Sequence, residues 1–150
     1  MHWIVFAAGA AMSWGLYGPA IHEGQIRLGS PFRALLCVGL AYVAIGVLVP
    51  TVVLTSQGAL GKGWNSAGFS AAALAGVCGA MGAIFVIYAF RAGGVPTFVM
   101  PIVFGIAPII NVVTSMIMHP PKTAPSPMLW VGFMLVAAGA ALVLYNKPAA

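Results

Sequence analysis

The sequence predicts an all-α membrane protein with five transmembrane helices in one bundle. Three observations carry that expectation. Hydrophobic residues make up 62% of the 150-residue chain and charged residues 5%, with a mean hydropathy of +1.07, whereas an ordinary soluble domain is about one-quarter charged. So few charges cannot cover a soluble fold of this size. The apolar residues form five runs of roughly 20–24, which at about 1.5 Å rise per residue match the roughly 30 Å hydrocarbon core of a bilayer. The six basic residues and the single acidic one fall in the gaps between those runs.

The first segment covers about 3–21. Gly15, Gly18 and Pro19 predict a kink or local unwinding in its second half. It lacks a basic leading region, and Trp14, Tyr17 and Pro19 extend it beyond the apolar core of a usual signal peptide, so it reads as a retained helix. Arg27 and Arg33 bracket the following loop. The second segment, about 31–54, opens with Ser30 as N-cap and Pro31 at the first helical position. Residues 56–63 form the next loop, with Lys62 its only charge.

The third segment, about 67–90, has Asn65 or Ser66 to cap it and Arg91, Gly93 and Gly94 to end it. Pro96 starts the fourth, about 96–118, which contains Pro101 and Pro108. Their missing backbone donors are costly in lipid, so this segment is expected to face protein or a cavity. The run His119-Pro120-Pro121-Lys122-Thr123-Ala124-Pro125 is a stiff loop. Ser126 and Pro127 repeat the cap-plus-proline start for the fifth segment, about 127–145.

Small residues recur at helical spacing in the third segment (Ala72, Gly76, Gly79 or Ala80, Ala83), in the second (Gly39, Gly46) and in the fifth (Gly132, Gly139). Such stripes let another backbone approach closely and are read as packing surfaces. Cys37 and Cys78 sit mid-segment among apolar neighbours, without metal-ligand spacing, and read as buried free thiols.

Five spans place the termini on opposite sides. One side receives Lys62 and Lys122, the other Arg27, Arg33, Arg91 and Lys147. The basic excess predicts an external N-terminus and a cytoplasmic C-terminus, in a bacterial-type cytoplasmic membrane, although so small an asymmetry also allows dual insertion. Basic residues spread singly over loops and termini make no patch for nucleic acid.

No catalytic constellation is present. His2, His22 and His119 stand at segment ends with no second histidine or carboxylate at ligand spacing, and there is no phosphate-binding lysine loop or nucleophile elbow. The expectation is therefore no enzyme, no metal and no cofactor. Glu23, the only carboxylate, lies near an interface, where pairing with Arg27 or Arg33 competes with a proton-coupling role. Within the spans, Trp14, Tyr17 and Gly18 share one face of the first helix, and Gly105, Pro108, Asn111 or Val112, and Ser115 form a stripe along the fourth. Transporter sites near the bilayer midplane are often built from interrupted helices of this kind. Gly18, Pro19, Pro101, Gly105 and Pro108 are the predicted points of helix irregularity. Asn111 serves equally as a substrate contact or an interhelical hydrogen bond.

At these residues the chain resembles one five-helix EamA-like half of the drug/metabolite transporter superfamily. The resemblance covers Ser13-Trp14-Gly15, Pro31-Phe32-Arg33-Ala34, Gly79-Ala80-Met81-Gly82-Ala83 continuing through Tyr88-Ala89-Phe90-Arg91-Ala92-Gly93, Val99-Met100-Pro101 through Ile106-Ala107-Pro108, and Gly132 to Gly139. It implies pairing with a second five-helix unit, either as a homodimer or with an oppositely inserted relative. Many such halves place a Glu shortly after the fourth helix, where this chain has His119-Pro120-Pro121.

The reading that follows is a small transporter of a polar metabolite, alternating access around Trp14, Tyr17, Tyr88, Asn111 and Ser115. Its expected partners are the lipid bilayer, a second five-helix unit and a small-molecule solute. Two alternatives stand beside it: a non-transporting membrane scaffold or accessory subunit, and a small multidrug exporter with Glu23 as its proton site.

Overall fold

The computed structural model describes residues 2–146. They form α1 (Trp3–Leu28), α2 (Pro31–Tyr42), a π-helical segment (Val43–Leu48), α3 (Val49–Ser56), α4 (Ser66–Arg91), α5 (Pro96–Met118) and α6 (Pro127–Tyr145), with no strand among the described residues. The segments from α2 to α3 make one continuous span, so five helices are long and apolar enough to cross a membrane. The protein is an all-α integral membrane protein. Contacts group the chain into two units, one ending at Gly93 and one beginning at Gly94.

In the first unit, α1 packs on α2 and α4, and α2 packs on α4. The buried apolar residues are Ile21 on α1, Ala34 on α2, and Ala83, Val86, Ile87 and Phe90 on α4. They lie where the end of α1, the start of α2 and the end of α4 meet. The rest of the first unit is largely exposed, including Leu40, Val47, Val52, Phe69 and Leu74. In water each exposed Leu or Val forgoes about 1.5–3 kcal/mol of burial. In lipid that loss vanishes, because acyl chains are as apolar as the side chains.

Helix α1 continues two turns past the expected end at about 21. The hydropathy falls after Ile21, but Glu23 and Arg27 pair across one turn and extend the helix. Gly29 ends it in the left-handed region at φ 61°, its N–H donating to the Ile26 carbonyl. A 26-residue helix is about 39 Å long, which exceeds the roughly 30 Å hydrocarbon core and leaves its charged last turns at the interface.

The caps follow the sequence. The Arg33 N–H donates to Ser30 Oγ at 3.4 Å with Pro31 in the first turn, and the Met128 N–H donates to Ser126 Oγ at 3.2 Å with Pro127 following. Of the two candidates before α4, Asn65 is the cap, its Oδ1 accepting from the Gly68 N–H at 2.7 Å. Trp64 Nε1 donates to the Leu60 carbonyl in the preceding loop.

Local unwinding falls elsewhere than at the expected points. Helix α1 stays α-helical through Gly18 and Pro19, and α5 through Pro101, Gly105 and Pro108. These prolines each deny a donor to one carbonyl four residues earlier without unwinding the turn. The departure is the π segment Val43–Leu48, immediately before Pro50. Pro50 cannot donate to the Gly46 carbonyl, and Thr51 Oγ1 donates to the Val47 carbonyl at 2.7 Å. A wider turn relieves the clash between the proline ring and the carbonyl beneath it.

In the second unit α5 packs on α6, and Met100 and Gly105 are the buried positions of α5. A Cβ at Gly105 would stand 2.8 Å from Ala140 Cβ. Gly105 is thus a packing residue, and only hydrogen fills its place. The other small-residue stripes have open space: Gly39, Gly46, Gly76, Gly79, Gly132 and Gly139 meet nothing within 4 Å. Cys37 and Cys78 are free but exposed, contrary to the expected burial, because a thiol among apolar neighbours can face lipid as easily as a core. Pro108 is exposed and Pro101 half-buried.

Candidate functional site

Three residues of α1 and one of α2 line an open cavity of about 260 Å³: Ser13, Trp14, Tyr17 and Tyr42. The positions 13, 14 and 17 share a face because helical neighbours recur at three and four residues. Trp14 and Tyr17 stack at an angle, with ring centroids 5.8 Å apart and planes inclined by 56°. Tyr42 comes from the opposite wall, as the last residue before the π segment. The Tyr17 hydroxyl is buried and has no hydrogen-bond partner among the described residues.

These groups provide aromatic faces, a hydroxyl in Ser13 and two phenols, with no charge. Such a lining suits an uncharged polar molecule with an apolar body: rings stack on the body, and hydroxyls orient the polar edge. It offers no nucleophile with a base and no ion pair.

The other expected contacts are not gathered here. Tyr88 stands at the far end of α4 and packs edge-on against Phe32, ring centroids 6.3 Å apart. Asn111 and Ser115 belong to the second unit, one turn apart on α5; both are exposed, and neither side chain makes a hydrogen bond among the described residues. Glu23 lies exposed in the penultimate turn of α1, paired with Arg27 Nε. Lys147, one of the four basic residues in the orientation argument, is outside the described residues.

Tyr42 was not among the expected contacts. Its signal was present: a tyrosine in the middle of a mostly aliphatic span, eight residues before a proline that must disturb the helix. Gln25 was also not among them, because it lies beyond the expected end of the first segment at about 21 and only the structure places it within α1. Its Nε2 and His22 Nδ1 are buried without hydrogen-bond partners among the described residues.

Comparison with models of known families, with curated proteins and with solved structures finds no match to this chain.

Proposed function

We propose that the protein is a small membrane transporter for a polar, uncharged metabolite, built as one EamA-like repeat of the drug/metabolite transporter type and working as a dimer by alternating access. The observation that carries this reading is the buried, unpartnered hydroxyl of Tyr17, a residue that lines the aromatic cavity beside the π segment. A hydroxyl buried without a partner costs about 1–3 kcal/mol on protein scales. A solute that hydrogen-bonds to it recovers that cost at the moment of binding.

The π segment supplies a place for motion. Converting its extra residue back to α geometry turns the following helix by about 100° and shifts it about 1.5 Å. Because Tyr42 sits at the start of that segment, the same change alters the wall of the cavity. Solute contact and helix register are thereby linked, as alternating access requires.

The dimer rests on the odd number of spans and on the open face of α4, where Gly76 and Gly79 have no neighbour within 4 Å. Two copies in opposite orientation place equivalent faces together. The favoured orientation has the N-terminus outside a bacterial-type cytoplasmic membrane. The exposed Glu23–Arg27 pair argues against Glu23 as the proton site, since a coupling carboxylate must exchange its proton with substrate within the span.

The test is uptake into proteoliposomes across a panel of neutral metabolites, with oligomeric state measured on the same preparation. Flux that falls at least tenfold in Trp14→Ala and persists in Glu23→Gln supports the reading. A stable monomer without flux for any solute would sink it in favour of an accessory subunit.

A further inference from the structure

A second and larger cavity, about 530 Å³, opens where the end of α1, the start of α2 and the end of α4 come together. Its wall includes His22, Gln25, Ser30, Phe32, Phe90 and Arg91. This is a different place from the Trp14–Tyr17–Tyr42 cavity, and no lining residue is shared.

Its polar groups can all act as hydrogen-bond donors. Arg91 carries a guanidinium and has no hydrogen bond or ion pair among the described residues. The other arginines of this end are committed elsewhere: Arg27 to the Glu23 carboxylate, and Arg33 Nη1 to the Leu28 carbonyl at 3.0 Å. Ser30 Oγ accepts from the Arg33 N–H, which leaves its own O–H free to donate. His22 Nδ1 and Gln25 Nε2 are buried and unpartnered, so no structural hydrogen bond consumes either. The His22 ring rests edge-on against Phe90, centroids 5.0 Å apart, which holds the imidazole at the wall. No carboxylate lines the cavity.

A free guanidinium with an amide, a hydroxyl and an imidazole on the same wall fits an oxyanion. A carboxylate offers two oxygens, whereas a phosphoryl group offers three and can engage the bidentate arginine while accepting from the remaining donors. The cavity also lies at the charged ends of the helices, and Phe32 and Phe90 provide an apolar flank. We propose that this cavity binds a phosphoryl group through Arg91, Gln25, Ser30 and His22, carried either by an anionic lipid headgroup or by a soluble phosphate. A rotation of the His22 and Gln25 side chains turns their free nitrogens to the ligand.

Calorimetric titration of the full chain in an uncharged detergent tests this, using inorganic phosphate, dihexanoyl phosphatidic acid and, as a zwitterionic control, dihexanoyl phosphatidylcholine. Binding of phosphatidic acid alone identifies the lipid headgroup; binding of inorganic phosphate as well identifies a site open to soluble phosphate. Arg91→Gln is expected to weaken binding at least about tenfold, the scale of a lost charge-assisted hydrogen-bond pair. Gln25→Leu, which changes no charge, should weaken it about threefold or more, a loss that simple charge attraction does not produce. Arg33→Gln removes the same charge from the same end outside the cavity and should change binding less than about twofold. Gel filtration and circular dichroism verify folding, and Gln25→Leu decides the matter if Arg91→Gln is misfolded. The proposal is overturned if neither anion binds, if phosphatidylcholine binds as tightly as phosphatidic acid, or if Arg33→Gln and Arg91→Gln lose affinity equally.

Discussion

Replacing Gly105 by Ala should separate α5 from α6. The added methyl carbon would stand 2.8 Å from Ala140 Cβ and 3.8 Å from the Val136 carbonyl oxygen. Carbon atoms pack best at about 3.5–4.0 Å, so the first contact is short by roughly 1 Å while the second is comfortable. Ala140 Cβ is fixed to its backbone and cannot swing aside, so the helices themselves must move. Overpacking of this kind costs about 1–3 kcal/mol, and the better helix propensity of Ala over Gly returns up to about 1 kcal/mol. The net expectation is a loss of roughly 1–2 kcal/mol, a 5- to 30-fold shift in the folded-to-unfolded ratio.

The companion change identifies the cause. In Gly105→Ala with Ala140→Gly, one methyl again fills the contact and the nearest remaining neighbour is the Val136 carbonyl. Stability should return to within about 1 kcal/mol of the parent, with a coupling energy of at least about 1 kcal/mol in the double-mutant cycle. Denaturant titration in detergent, followed by circular dichroism, measures all four proteins. Additive losses, or a more stable Gly105→Ala, would refute the close contact.

Tyr17→Phe removes a buried, unpartnered hydroxyl, and should raise thermal stability by up to about 1–3 kcal/mol while lowering solute flux; a destabilised variant would mean that the hydroxyl has a structural partner. Pro50→Ala restores a donor to the Gly46 carbonyl, so hydrogen exchange at residues 43–48 should slow as the π segment becomes α-helical. Unchanged exchange there would remove Pro50 as its cause. Asn65→Ala deletes the acceptor for the Gly68 N–H and should cost about 1 kcal/mol in unfolding titrations, with Asn65→Ser recovering most of it.

Most of the helix boundaries were legible because their signals are local. Ser30-Pro31 and Ser126-Pro127 start helices wherever the rest of the chain goes, since cap and proline act on their own first turn. The end of α1 was misplaced because hydropathy reports the depth of a residue, while the Glu23–Arg27 pair and Gly29 decide where hydrogen bonding stops. The candidate contacts were partly legible. Trp14 and Tyr17 share a cavity as their spacing implied, but spacing along one helix does not say which way that helix is rotated against its neighbours. Each residue step turns the axis by about 100°, so Tyr88 could be assigned to the site only by its packing, which places it on Phe32 instead.

Composition and the five apolar runs by themselves determined that this is an all-α protein of the membrane, because the cost of leaving backbone and charge in hydrocarbon adds residue by residue along the chain. The tertiary structure alone decided that Tyr42 faces Trp14 and Tyr17, that Gly105 is held by Ala140, and that Arg91, Gln25 and His22 share one cavity. Those facts depend on how helices distant in sequence are turned toward one another, and no local preference encodes that rotation.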